Sequence, residues 1–266
     1  VAVSGQPQGV RNDFAPLAFV LGFARSGTTL LGRILACVPE VVVLEEKPLL
    51  GRAIAHFMTD PVGLERLAAA EEAQLDSYRA DFWQRAGSFG VTAANALAVD
   101  QTALNSVNLP LIGRLFPEAR IVFVIRDPRD VVLSCFRRQF APTPLTLEFH
   151  SLASTALIYD RTMRLVAACR RRMSLQLHEL RYEDLLDDFD GETRRLCRFL
   201  DIRWTEAMRE FHRSGEGHML ATRSAAQVRQ GLSRDSIGHW RAYRDQMAEV
   251  MPLLAPWIAA FGYDEE

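Results

Sequence analysis

Two short segments of the sequence bring together residue types that bind phosphate. The first, Gly22-Phe23-Ala24-Arg25-Ser26-Gly27-Thr28-Thr29, lies between an apolar run and an apolar-periodic stretch. Glycines permit a tight turn in which successive backbone N–H groups converge on one anion. A helix beginning at Thr28 adds roughly half a positive charge at its N-terminus. Thr28 and Thr29 contribute hydroxyl donors. The spacing is that of the G-x-x-x-x-G-K-[ST] loop of triphosphate-binding enzymes. Thr28, however, stands where those enzymes place the lysine that reaches the β- and γ-phosphates. The residues predict a phosphate cradle, with a kinase-like or other triphosphate enzyme as the rival reading.

The second segment is Ile121-Val122-Phe123-Val124-Ile125-Arg126-Asp127-Pro128-Arg129-Asp130-Val131-Val132-Leu133-Ser134. Arg126 falls at the end of an apolar strand pattern, where ligands of open α/β sheets collect. Its guanidinium fork matches phosphate oxygens two at a time. Pro128 in a helix first turn leaves free N–H groups beside it, and Ser134 lies two turns further on. The plainer reading makes Arg126-Asp127 and Arg129-Asp130 surface ion pairs.

The elements that must hold these residues follow from periodicity. Apolar runs at 16–21, 41–44 and 120–125 predict buried strands, 96–99 reads weakly as a strand, and 175–181 alternates like one. Apolar spacing predicts helices over 28–38, 105–116, 128–139, 145–172, 192–200 and, with proline interruptions, 245–261. Pro48 can open a helix, and residues 50–89 read as an alanine-rich helical cap with breaks near Pro61 and Gly87. Strands alternating with helices predict an α/β fold, a central parallel sheet with helices on both faces, in one domain spanning 1–266.

The chain has 266 residues, 48 % of them hydrophobic, which supports a sizeable core. Its 31 basic and 33 acidic groups give a net charge of −2, which counts against a general nucleic-acid partner. No apolar run is long enough to span a membrane. Residues 1–14 lack an apolar signal core, and the sequence does not begin with Met, so upstream residues are expected to be missing. Cys37, Cys135, Cys169 and Cys197 share no metal-binding spacing and read as free thiols in helices, which favours a reducing, cytoplasmic setting. His56 reads as a surface or capping histidine. Asp187-Asp188-Phe189-Asp190 reads as a cap for the next helix, and Arg170-Arg171-Arg172 as a solvated helix end.

Taken together, residues 22–31 resemble the 5′-phosphosulfate loop of sulfotransferases. The likeness is to the P-R-S-G-T-T-L form of the tyrosylprotein enzymes and of bacterial TPR-linked ones, with Ala24 replacing the proline. R-D-P-R-D-x-x-x-S resembles the family's 3′-phosphate motif, which implies Arg126, Ser134 and Arg138 as 3′-phosphate ligands. Leu180-Arg181-Tyr182-Glu183-Asp184-Leu185 is similar to R-Y-E-D-L, whose tyrosine lies near the adenine. Arg223-Ser224-Ala225-Ala226-Gln227-Val228 is similar to R-[ST]-x-x-Q-V, and Ser236-Ile237-Gly238-His239-Trp240 to the S-V-G-x-W loop that closes over the nucleotide. Residues 50–99 match no motif of the family.

The resemblance implies a P-loop-like fold and transfer of sulfate from 3′-phosphoadenosine-5′-phosphosulfate (PAPS) to an acceptor hydroxyl, releasing adenosine 3′,5′-bisphosphate (PAP). Arg25, Ser26, Gly27, Thr28, Thr29, Tyr182, Ser224, Ser236 and His239 are then donor-binding, and Arg25 and Ser224 also face the reacting sulfate. Glu46 aligns with the second glutamate of G-E-E, which serves as base in the tyrosylprotein enzymes, and Glu45 is the alternative. Gln101 occupies the place of the lysine in D-K-x-P, and His239 that of a Lys or Arg. A neutral Gln101 opens a third reading, a PAP- or PAPS-binding protein with little catalysis. The acceptor is expected to be a small molecule or carbohydrate, or else a peptide; no metal is called for, because arginines and backbone amides can carry the charge.

Overall fold

The computed structural model describes residues 14–95, 97–212, 234 and 236–264. Five parallel strands form one sheet: β1 (Leu17–Gly22), β2 (Val41–Glu45), β3 (Leu97–Gln101), β4 (Arg120–Ile125) and β5 (Gln176–Arg181), in the order β2-β3-β1-β4-β5. Strand alternation divides the core. Leu17, Phe19, Leu21, Ile121, Phe123 and Ile125 face one apolar cluster, while Ala18, Val20, Val122 and Val124 face the other. With both faces covered, β1 and β4 read as continuous apolar runs, while β5 at the sheet edge is partly exposed and alternates.

The second face is covered by α1 (Thr28–Leu35), α8 (Tyr182–Asp187) and α9 (Phe189–Leu200). The first face carries α2 (Gly51–Phe57), α3 (Gly63–Ala69), α4 (Glu72–Ser88), α5 (Leu109–Leu115), α6 (Pro128–Phe136), α7 (Leu152–Arg172) and the C-terminal helix Met251–Ala260. The helices of the 50–89 segment are built into this layer. Phe82 of α4 lies 6.1 Å from Phe19 of β1 and 4.8 Å from Phe116, ring centre to ring centre.

Several boundaries differ from the sequence reading, each for a local reason. The 50–89 segment breaks at residues 58–62, as Pro61 suggested, and again at Ala70 and Glu71. The break expected near Gly87 falls at Ser88, where α4 ends, and the turn that follows includes Gly90, with φ +94°. Pro110 sits in the first turn of α5, so the expected 105–116 helix becomes a 3-10 turn, Ala103–Asn108, followed by α5. The expected 145–172 helix is cut at Ser151, whose hydroxyl accepts the N–H of Ser154 and caps α7. Helix α1 ends before Cys37, so that cysteine lies in a turn and not in a helix. Asp188 caps α9 as expected, accepting the N–H of Gly191 at 2.9 Å. No helix among the described residues is long and apolar enough to cross a membrane, and all four cysteines are free.

The strand order sets where a ligand can collect. The chain leaves β1 toward the β2 side and leaves β4 toward β5, so the loops after these neighbours diverge. A crevice opens at such a reversal beyond the carboxyl ends of the strands. Both segments singled out in the sequence, the one after β1 and the one after β4, lie at this point.

Candidate active site

The loop after β1 is anchored from below. Phe23 packs against Phe149 and Tyr159, at 5.5 and 5.0 Å between ring centres. The Ser26 hydroxyl donates to the Phe23 carbonyl (2.8 Å) and accepts the Phe23 N–H (3.2 Å). Ser106 donates to the Gly22 carbonyl, and the Cys135 thiol, its pKa pushed up by burial, donates to that of Ala24. Ser26 is thus buried as an internal staple of the loop, with its N–H also turned to Phe23. Gly27 adopts φ +109° before α1 begins at Thr28. A methyl group on Gly27 would lie 2.5 Å from Cδ2 of Tyr182.

The loop after β4 meets the first loop directly. Arg25 Nε donates to Ser134 Oγ at 3.0 Å, and Arg126 Nη1 donates to the Arg25 carbonyl at 3.1 Å. Arg126 also stacks on Tyr182, 4.8 Å from the ring centre, and donates through Nη2 to the Ser236 carbonyl at 2.6 Å. Its Nε is buried and has no hydrogen-bond partner among the described residues. Arg138 is exposed one turn beyond Ser134. Burial lowers the Arg25 pKa; Cys135 opposes this, while the charges of Arg138 and Arg126 add to it. Three guanidiniums therefore gather around one crevice in a chain of net charge −2.

On the β2–β3 side, Glu46 has φ +49° and donates its N–H to the Gln101 carbonyl at 3.1 Å. Burial raises its pKa, Glu45 raises it further, and the Ala103 N–H opposes both. Gln101 is buried against α1: a methyl group on Gly32 would lie 2.9 Å from its Oε1, and its Nε2 has no partner among the described residues. What Gln101 supplies to Glu46 is its backbone carbonyl.

His239 is exposed, with Nδ1 3.4 Å from Arg137 Nη1. Thr28 is buried and Thr29 partly exposed at the start of α1. Ser224 and the rest of its motif lie outside the described residues. His56 is neither exposed nor a cap, and stacks on Tyr78 at 5.8 Å.

Other contributors escaped the sequence reading. Asp127, Arg129 and Asp130, for which surface ion pairs were the plainer reading, are buried. Asp127 caps α6 by accepting the Arg129 N–H and holds the Arg129 side chain in an ion pair at 2.9 Å. Glu183 accepts the Asp127 N–H (3.1 Å) and the Tyr263 hydroxyl proton (2.6 Å), bracing the turn after β4. Asp100 is wholly buried beneath Glu46, and its pKa is raised to about 7, first by burial. Asp127, Asp130 and Glu183 lie inside recognised motifs, which was the available signal; Tyr263 offered none. Among the described residues no group of three His, Cys, Asp or Glu side chains is placed to hold a metal ion.

A sequence model described as "Sulfotransferase family" matches residues 16–206. Protein-tyrosine sulfotransferase 1 of Danio rerio is 26 % identical over 267 residues, covering 96 % of this chain and 74 % of that protein. An uncharacterized protein of Aquifex aeolicus is 26 % identical over 252 residues, 89 % of this chain, which spans only 32 % of that longer protein. Among solved structures, the sulfotransferase domain of the Synechococcus olefin synthase has a TM-score of 0.57 and 19 % identity, over 98 % of this chain and 100 % of that domain. At that identity the likeness concerns the fold.

Proposed function

The chain belongs to the sulfotransferase family, and from that premise we propose that it transfers the sulfuryl group of PAPS to an acceptor hydroxyl and releases PAP. The observation that carries the reading is the junction of the two anion-binding loops. Arg25 reaches Ser134, and Arg126 reaches the Arg25 backbone, so two phosphate sites on separate strands form one crevice. A nucleotide phosphorylated at both the 5′ and the 3′ position needs two such sites at fixed separation.

In this reading Arg25, the Gly27 region, Thr28 and Thr29 hold the 5′-phosphosulfate, with Ser26 stapling the loop from inside. Arg126, Ser134 and Arg138 face the 3′-phosphate, Tyr182 the adenine, and Ser236 and His239 the closing side; Ser224 joins the sulfate. Glu46 takes the proton from the acceptor hydroxyl while that oxygen bonds to sulfur. The sulfur–oxygen bond to the 5′-phosphate breaks, and the electron pair remains on the phosphate oxygen. Arg25 and the loop amides stabilise this charge without a metal. The acceptor binds on the Glu46 side, against helices of the 50–89 segment. That segment lies inside the span of the family model but carries none of the motifs quoted from the sequence, and on that ground a small-molecule or carbohydrate hydroxyl is proposed over a protein tyrosine. Gln101 supports a second reading, nucleotide binding with little turnover, because it brings no charge to the leaving group.

Thermal unfolding with PAP, ADP and Mg-ATP tests the donor assignment, since a bound ligand raises Tm by mass action. PAP is expected to stabilise the protein most; equal or greater shifts with Mg-ATP would sink the assignment. Labelled PAPS offered with phenolic, sugar and peptide acceptors then separates turnover from binding alone.

A further inference from the structure

The charged residues of the turn after β4 converge on one short segment, residues 236–240. Asp130 is 2 % exposed, and its carboxylate accepts two backbone N–H groups, from Gly238 at 2.6 Å and from Trp240 at 2.9 Å. Gly238 has φ +68°, in the left-handed region where glycine is strain-free. The Arg129 guanidinium, held by Asp127, lies 4.0 Å from the Trp240 ring centre. Arg126 Nη2 donates to the Ser236 carbonyl, while Nη1 of the same guanidinium reaches back to the phosphate loop. Arg126 and Asp130 therefore each hold one end of the 236–240 segment. A buried carboxylate whose hydrogen-bond donors among the described residues are that segment's N–H groups is costly once the segment departs.

We infer that Asp130 is a positioning residue that couples docking of the 236–240 segment to recognition of the 3′-phosphate. The inference rests on the proposed reading in which Arg126 and Ser134 face that phosphate. An anion on Arg126 fixes the guanidinium in the orientation that meets the Ser236 carbonyl. Docking through Asp130 holds that carbonyl in place, and the coupling is reciprocal. A ligand without a 3′-phosphate leaves this coupling unused.

The test is calorimetric binding of PAP and of adenosine 5′-monophosphate, which differ only by the 3′-phosphate, to the wild type, Asp130→Asn and Gly238→Ala. Asparagine keeps the shape but turns an amide N–H2 toward one of the two backbone donors. PAP affinity is expected to fall about ten-fold or more in Asp130→Asn, and 5′-monophosphate affinity by less than about two-fold. Gly238→Ala strains the segment's backbone at φ +68° and displaces the Arg241 guanidinium, which the added methyl group would meet, and is expected to show the same selectivity; should Asp130→Asn fail to fold, this variant carries the comparison. Equal losses for both ligands, or no loss for PAP, would overturn the coupling while leaving the donor assignment intact. A wild type that binds both ligands equally would overturn the donor assignment and the coupling with it.

Discussion

Glu46 and Arg25 share a backbone feature: both are non-glycine residues in the left-handed region, at φ 49° and 70°. Holding a larger residue there costs on the order of 1 kcal/mol or more, so the surroundings must over-determine it. For Glu46 they do, through its N–H on Gln101 and the Ala103 N–H on its carboxylate. Burial raises its pKa, and Glu45 adds to the rise. The base form is the ionised one, so turnover is expected to fall as pH drops through a value above the ordinary glutamate range. Glu46→Gln is expected to lower kcat by about 10²–10⁴-fold and leave PAP affinity nearly unchanged. Rate–pH profiles of both proteins check this. Full turnover in Glu46→Gln would move the base to Glu45.

At the scale of elements, the loop after β1 needs glycine where the chain turns and where Tyr182 approaches. Gly27→Ala would strain φ +109° and drive a methyl group into the Tyr182 ring, which also lies beneath Arg126. The substitution is expected to cost about 1–3 kcal/mol of stability and to weaken PAP binding at least about ten-fold. Gly87→Ala is the paired control. Gly87 sits within α4 with nothing within 4 Å of an added methyl group, so the change is expected to stabilise the protein by about 0.5–1 kcal/mol and leave PAP binding alone. Thermal unfolding and calorimetry on both variants decide the matter. Both glycines were legible in the local sequence. Gly27, flanked by a buried strand and hydroxyl residues, read as a turn, and the break expected near Gly87 is there, since α4 ends at Ser88. Helix α8 went unread because it is six residues long and anchored by one buried leucine, too short for a period to register.

At the scale of the molecule, parallel strands were legible from their apolar runs, but the order that places β1 between β3 and β4 was not. Nor could the sequence show that Asp130 meets residues 236–240 or that Tyr263 meets Glu183, since such contacts depend on how the layers close. Asp100 is another such case. Its register neighbours are Phe19 on β1 and Leu44 on β2, both apolar and buried. Thr102 and Asn105 face its carboxyl group but make no hydrogen bond of ordinary geometry to it, and the charge of Glu46 opposes its ionisation. The group is wholly buried, and its pKa is raised to about 7, so the fold favours the protonated acid. The folded pKa lies above the unfolded one. The stability this group contributes is therefore present in full below about pH 4 and is lost as pH rises through about 7. Against the wild type, Asp100→Asn removes that dependence and is expected to be the more stable protein at pH 8, by on the order of 4 kcal/mol as an upper bound. Asp130 and Glu183 are shifted in the same direction, again chiefly by burial, and give both proteins a common slope. The difference between the two denaturant-unfolding curves from pH 5 to pH 8 reports Asp100 together with its coupling to Glu46. Parallel curves would mean that its carboxyl group is ionised and solvated in the folded state, and that the middle of the sheet is wetter than its apolar neighbours imply.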